Sequence, residues 1–404
     1  MRVDNQKSGC YNGSMKYAMK KYTKIILAVL LALLGLILAT ALGLCAAVLV
    51  SSVRVKKESA RLQERHVAAL EEEYSKPDFA PASELDMSGF DIAVALENNI
   101  RLNEVQFLGT HNSYKAYNRF ADQLMRRLIG PLGFSDGRVW SYGYEPLSAQ
   151  LENGIRSFEL DVMREKKGFR CAHIPLVDYA SVCPDFNLAL KEIALWSDAH
   201  PGHLPITLLI EAKPTIFSGG MLLHPFNLDD VLFLDELVAA ALGDRLYTPK
   251  DMLRAHDDFK QMRAADDYPA LSELLGKILV IYHYDWNTTE AYAAVDPATR
   301  ALSMFPSMGQ WVLYWQDMDP NQAYVCFIID NWSESPDMRQ NVEVSNMLVR
   351  TRVDVFPWRD DEWEAQALRT GAFIMTTDWP PRGNPGEDPH VASFEDGATV
   401  RLKP

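Results

Sequence analysis

The sequence predicts an α/β protein built on an eight-stranded (β/α)8 barrel of the TIM type, preceded by a single transmembrane helix. Three observations carry this. Eight short apolar runs, separated by longer stretches of helical composition, follow one another over about 280 residues from Leu102, and about 250 residues is the ordinary length of such a barrel. A run of 26 residues, 25–50, contains no charge. Polar residues recur where the apolar runs end.

Four parts are expected in chain order: a basic segment (1–24), the apolar run (25–50), a linker (51–90) and the barrel domain (91–404). About 20 apolar residues suffice to cross a hydrocarbon core. A cleaved signal peptide has a shorter apolar region, roughly 7 to 15 residues, followed by small residues, so an uncleaved anchor is favoured over a secreted product. Lys20, Lys21 and Lys24 crowd the amino-terminal edge of the run, against Arg54, Lys56, Lys57, Arg61 and Arg65 on the trailing side. The positive-inside rule then puts the body outside the cytoplasm by a narrow margin. The linker has helical composition and mixed charge until Pro77 and Pro81 end it, and reads as a partly helical stalk.

Charge divides the chain further. Residues 1–65 hold 11 Lys and Arg against 3 Asp and Glu, whereas residues 66–404 hold 29 against 51. A body that acidic does not bind nucleic acid, which requires Lys and Arg to neutralise phosphates, and it is repelled by anionic bilayers. Membrane association therefore falls to the apolar run.

The expected barrel strands are 105–109, 157–162, 206–212, 278–282, 312–315, 325–329, 347–353 and 373–377, the fifth being the weakest. Helices are expected over 188–199, ended by Pro201 and Gly202, and over 228–242, ended by Gly243. An open doubly wound sheet is the alternative, but it would ordinarily carry a glycine-rich first βα turn, and neither G-x-G-x-x-G nor G-x-x-x-x-G-K-[ST] occurs.

His111 and Asn112 follow the first run, Glu159 and Asp161 lie in the second, Glu211 and Lys213 end the third, Arg352 sits in the seventh, and Asp378 follows the eighth. In a barrel, the carboxyl ends of the strands build the active site. Residues two apart on a strand share a face, which pairs Glu159 with Asp161 and Glu211 with Lys213. Buried carboxylates repel unless a cation lies among them. Glu159, Asp161, Glu211 and the Asn112 side-chain oxygen form an all-oxygen set suited to a hard divalent ion, with Ca2+ favoured over Mg2+. His111, together with His173 in the loop after the second strand, supplies an acid–base pair. A lone histidine after a strand, or an isolated E-x-D, is ordinarily structural. The recurrence of five such features at strand ends, in order, is what marks a site.

Other features are set aside. Gly133-Phe134-Ser135-Asp136-Gly137 matches the G-x-S-x-G elbow but lacks the strand before it and the helix after it. His200 and His203 read as a turn, and His283 follows the fourth strand without a partner in the pattern. Asn287 and Asn331 begin glycosylation sequons, which act only in a glycosylating host. Cys171 and Cys183 are a possible disulfide if the body lies in an oxidising compartment, and otherwise buried thiols.

The motifs HNSYK (111–115), SAQLENGIRSFELDV (148–162), CAHIP (171–175) and PITLLIEAK (205–213) resemble, in this order, the catalytic domain of phosphoinositide-specific phospholipases C, particularly the bacterial calcium-dependent group. GKILVI, LVRTRVD and TTDWP are similar as well, so the resemblance covers about residues 100–380. It implies a distorted barrel and cleavage of a phosphatidylinositol-type phospholipid by the inositol 2-hydroxyl, giving diacylglycerol and a cyclic inositol phosphate. By position it assigns the catalytic histidines to His111 and His173, calcium to Asn112, Glu159, Asp161 and Glu211, and phosphate or inositol contacts to Lys213 and Arg352. The implied base is His111 or a carboxylate, and the implied acid is His173. The amino-terminal anchor departs from the familiar members. Glycerophosphodiester phosphodiesterases, which usually open with His-Arg-Gly rather than His111-Asn112-Ser113, are the alternative family. A catalytically inactive barrel that binds lipid or protein is the non-enzymatic alternative, set against the completeness of the histidine and oxygen-ligand set.

Overall fold

The computed structural model describes residues 7–117, 142–172, 179–218, 221–296, 299–309, 319, 321–333, 336–354, 361–382 and 390–404. The chain forms two compact units, Met1–Arg54 and Val55–Pro404. The first contains the apolar run. Helix α1 (Lys7–Tyr74) carries it, and among the described residues α1 is the one helix long and apolar enough to cross a membrane.

In the second unit, eight parallel strands close in sequence order: β1 (Val105–Thr110), β2 (Ser157–Glu165), β3 (Ile206–Lys213), β4 (Ile278–His283), β5 (Met304–Gly309), β6 (Phe327–Ile329), β7 (Leu348–Arg352) and β8 (Ile374–Thr377), with β8 pairing back to β1. Seven fall where the apolar runs predict them. The fifth does not. The expected 312–315 lies outside the described residues, and the strand that fills the gap is β5, MFPSMG, paired to β4 through Tyr282 and Pro306. Proline cannot donate to a strand ladder and argues against a central strand, which is why the sequence pattern passes over β5.

The strands are buried on both faces, as parallel barrels require. Phe107, Leu209, Leu279, Ile281, Phe305, Phe327, Leu348 and Ile374 share one apolar cluster inside the barrel. Leu160, Leu208, Ile210 and Val280 alternate with them and pack instead against Leu190, Ile193, Val231 and Leu234 of the surrounding helices. Those helices are Phe186–Ala199, begun by the Asp185 side chain accepting from the Leu188 amide at 3.0 Å, and Leu228–Leu242, begun by an Asn227–Asp230 capping box.

The barrel is distorted at one seam. β1 meets β2 only through Gly109 with Ser157 and Thr110 with Phe158, while a short carboxy-terminal strand (Val400–Leu402) runs antiparallel along Val105–Phe107. The two strands come so close at Gly109 that a Cβ there would lie 2.8 Å from Ser157 Cβ. Glycine is required at that contact, and the contact brings the ends of β1 and β2 together at the mouth.

The segment expected to be a stalk packs on the barrel body from Val55 onward. Gln63 and Val67 are buried. Gln63 donates to the Asp185 carbonyl at 2.9 Å and accepts from the Asp185 amide at 2.8 Å, while His66 Nε2 lies 2.8 Å from Ser148 Oγ. Lys56 pairs with Glu165 at 2.8 Å, and Arg170 donates to the same oxygen at 2.8 Å. Burial alone would raise the Glu165 carboxyl, but these two cations outweigh it and hold it at about 2. A depressed carboxylate contributes stability above its unfolded pKa, near 4.5, and that contribution is lost as pH falls from there toward about 2. Glu165→Gln is therefore expected to lower unfolding free energy by about 1 kcal/mol at neutral pH, and by progressively less as urea titrations are moved down through this range. A pH-independent difference would contradict the clasp.

Candidate active site

The inward positions of the strands change from apolar to polar at the carboxyl end of the barrel. His111 follows β1, Glu159 and Asp161 lie on β2, Glu211 and Lys213 on β3, His283 on β4, Ser307 on β5, Arg350 and Arg352 on β7, and Asp378 follows β8. Of the residues expected to form the site, all but His173 are described, and they meet at this one mouth. His173 lies outside the described residues. The chain enters its loop from Cys171, which pairs with Val162 at the level of the mouth. Ser135 also lies outside them.

Three carboxylates form the centre. Oxygens of Glu159, Asp161 and Glu211 all lie within 4.8 Å of one another, with all three residues almost fully enclosed. Asp161 and Glu211 are direct register partners across β2 and β3. Burial, together with the charges of Glu211 and Glu159, pushes the Asp161 carboxyl well above the ordinary carboxylate range against the pull of Lys213. Burial also acts to raise Glu211, but Lys213 and His283 hold it low. Asp161 Oδ1 is buried with no hydrogen-bond partner. An enclosed acidic set with an unspent oxygen fits a hard divalent cation.

Asn112 joins this set through its geometry. It has a left-handed φ of 52°, a conformation asparagine tolerates better than most residues and one that recurs at functional turns. Its Nδ2 donates to Tyr142 Oη at 2.8 Å, which directs Oδ1 the other way. The Tyr114 hydroxyl lies 2.9 Å from both Asn112 Oδ1 and Asp161 Oδ2, tying that oxygen to the acidic set. Burial and Asp161 raise the Tyr114 pKa well above its usual value, so the hydroxyl keeps the proton it shares. Ser113 fixes the turn to the next strand: its Oγ accepts from the Glu159 amide at 2.8 Å, and its own amide donates to the Glu159 carbonyl at 2.9 Å. The His-Asn-Ser triplet is thus a rigid bracket holding β1 to the first acidic residue.

His111 Nδ1 lies 2.8 Å from Asp378 Oδ1, and its Nε2 lies 3.9 Å from Glu159 Oε1. A carboxylate only accepts, so Nδ1 carries the proton and Nε2 presents a lone pair toward the acidic set. Burial and the Arg352 charge lower the His111 pKa well below the usual value, leaving the ring neutral. Arg352, expected to meet substrate, donates to Asp354 at 3.0 Å and to Asp378 at 3.3 Å. Asp354 in turn accepts from the Asp378 amide at 2.6 Å. Together these groups brace Asp378 behind the histidine.

Sequence reasoning missed Arg350. It shares the inward parity of Arg352 on LVRTRV, and its guanidinium donates to Glu159 and to Asn331. The signal was the R-x-R spacing, identical to that of the E-x-D pair on β2. His283, left aside above, is fully buried in the same layer, with Nδ1 3.1 Å from Ser307 Oγ, across the register from Glu211. Cys171 and Cys183 are both buried thiols, not a disulfide.

Removing one member of a buried ion pair strands the other and typically costs about 3–5 kcal/mol. Arg350→Met is expected to destabilise the protein by that amount in chelator, measured by denaturant unfolding, because Glu159 is left among like charges. An effect below about 1 kcal/mol would mean that the guanidinium does not compensate Glu159.

The family model described as "Phosphoinositide phospholipase C, Ca2+-dependent" matches residues 100–170 and 163–404, well over half of the chain. Among solved structures, the chain is similar to the apo form of a calcium-dependent phosphoinositol-specific phospholipase C from the Gram-negative bacterium Pseudomonas sp., with 18% identity, 78% of this chain and 99% of that chain covered, and a TM-score of 0.52. The myoinositol complex of the Pseudomonas enzyme gives 19% identity, coverages of 78% and 98%, and a TM-score of 0.51. These overlaps establish the barrel fold. No curated protein matches the sequence. The glycerophosphodiesterase and inactive-barrel alternatives are not favoured. With its barrel and acidic mouth, the chain belongs to the calcium-dependent phosphoinositide phospholipase C family, enzymes that act on phosphatidylinositol lipids.

Proposed function

We propose that this chain cleaves phosphatidylinositol to diacylglycerol and a cyclic inositol phosphate, using Asn112, Glu159, Asp161 and Glu211 to hold calcium and His111 as general base. The observation that carries the reading is the placement of a neutral, oriented His111 Nε2 beside a buried oxygen set that needs a cation. When bound, calcium lowers the pKa of the inositol 2-hydroxyl and offsets charge building on the phosphoryl oxygens. His111 Nε2 takes the hydroxyl proton. Asp378 keeps the ring in the Nδ1–H tautomer and stabilises the imidazolium that forms, and Arg352 holds Asp378 in place. A carboxylate base is disfavoured because Glu159, Asp161 and Glu211 would all be spent on the calcium, and Glu159 is also engaged by Arg350 and Asp161 by Tyr114. His173, by its position in the CAHIP motif, is assigned the protonation of the departing glycerol oxygen. Arg350, the enclosed guanidinium paired with Glu159, is the fixed counter-ion of the acidic set.

The apolar run is read as an uncleaved anchor, with the catalytic body on the outer face of the membrane. It supplies proximity to the lipid that an acidic body lacks. The phospholipid is then met by a tethered enzyme, and the barrel mouth has only to recognise the headgroup.

The test is an assay of the detergent-solubilised chain on radiolabelled phosphatidylinositol and on glycerophosphodiesters, with and without chelator. Release of a water-soluble inositol phosphate that stops on chelation is expected. Activity confined to glycerophosphodiesters, or insensitive to chelator, would overturn the reading. In the same assay Asp378→Asn is expected to lower kcat about 10²- to 10⁴-fold with little change in KM, because the wrong tautomer removes the base without removing a substrate contact.

A further inference from the structure

We infer that Lys213 competes with calcium for the carboxylates of this site, so that the ion must displace the ammonium to bind. This rests on the calcium reading above and goes beyond it, since Lys213 was expected only as a substrate contact. Lys213 Nζ pairs with Glu211 Oε1 and lies 3.6 Å from Asp161 Oδ2. It therefore claims two of the three carboxylates whose oxygens converge within 4.8 Å. A unit positive charge that close to a divalent ion repels it strongly in a buried setting, and the oxygens cannot fully serve both.

Strand geometry puts this contact within reach. Glu211 and Lys213 are two apart on β3 and face the same side, so a lysine at this position reaches back over the acidic set. The side chains also form a gradient of exposure, 3% for Asp161, 12% for Glu211 and 21% for Lys213. The ammonium caps the set on its solvent side. Its flexible four-carbon stem lets it swing outward by side-chain rotation while β3 stays fixed. Arg350 makes the comparable claim on Glu159, but its guanidinium is enclosed, with a side-chain exposure of 4%. It is a permanent counter-ion, whereas Lys213 is an exchangeable one. Calcium entry then has a second effect, because the displaced ammonium is delivered to the rim of the mouth, where an anionic phosphate would approach.

The experiment is calorimetric titration of calcium into the full detergent-solubilised chain, wild type against Lys213→Met, with thermal melting of both in chelator and in calcium. Lys213→Met is expected to bind calcium at least about tenfold more tightly. It should also melt lower than wild type in chelator and gain more from calcium, a crossing that loss of a purely structural lysine does not produce. Lys213→Arg keeps the charge and should bind calcium like wild type, and Lys213→Gln serves if the methionine variant does not fold. Equal or weaker calcium binding by the uncharged variant would overturn the inference while leaving the calcium reading standing. No calcium binding by the wild type would overturn both.

Discussion

Three carboxylates held within 4.8 Å of one another inside the mouth of a barrel are the constraint on which the rest of the site depends. Like charges so close and so enclosed are unfavourable unless cations are supplied. Among the described residues two cations pair with them, Arg350 with Glu159 and Lys213 with Glu211 and Asp161. Two unit charges against three carboxylates leave one uncompensated: the Asp161 carboxyl is pushed up toward its neutral form, and its Oδ1 has no hydrogen-bond partner. A hard divalent ion resolves that deficit, and the family to which the chain belongs is defined by calcium dependence.

The scaffold is arranged to keep this strain in place. The close β1–β2 contact at Gly109 brings the His-Asn-Ser bracket against Glu159, and the carboxy-terminal strand takes up the remainder of the seam below it. Tyr114 links Asn112 to Asp161, so the amide oxygen proposed as a ligand is tied to the acidic set. On the far side, Asp354, Arg352 and Asp378 form a chain of charge-assisted hydrogen bonds that ends on His111 Nδ1. Orientation of the histidine and crowding of the carboxylates are thus enforced by neighbouring strands of one closed sheet, and each depends on barrel closure.

Most of this was legible in sequence because charged residues inside apolar strand runs have few structural uses. Glu159, Asp161, Glu211 and His111 stood out for that reason, and the barrel followed from the spacing of the runs. What was not legible has physical causes. β5 contains Pro306, which reads as a strand breaker, and its proline is accommodated in register against Tyr282. Val400–Leu402 is too short for any periodicity to show. The bond from Arg352 to Asp378 did not show, because the two lie 26 residues apart and become neighbours only when β7 and β8 pair. Gln63, buried and bonded to Asp185, is a polar residue in the polar part of α1 and carries no mark of the surface it meets.

The account rests on one ion being held by one set of oxygens, and a crystal grown with calcium and measured near its anomalous signal tests this most directly. A single peak within about 2.3–2.6 Å of oxygens from Asn112, Glu159, Asp161 and Glu211, with the Lys213 ammonium turned outward, is the result predicted. A peak elsewhere, or none at the mouth in crystals saturated with calcium, would contradict it.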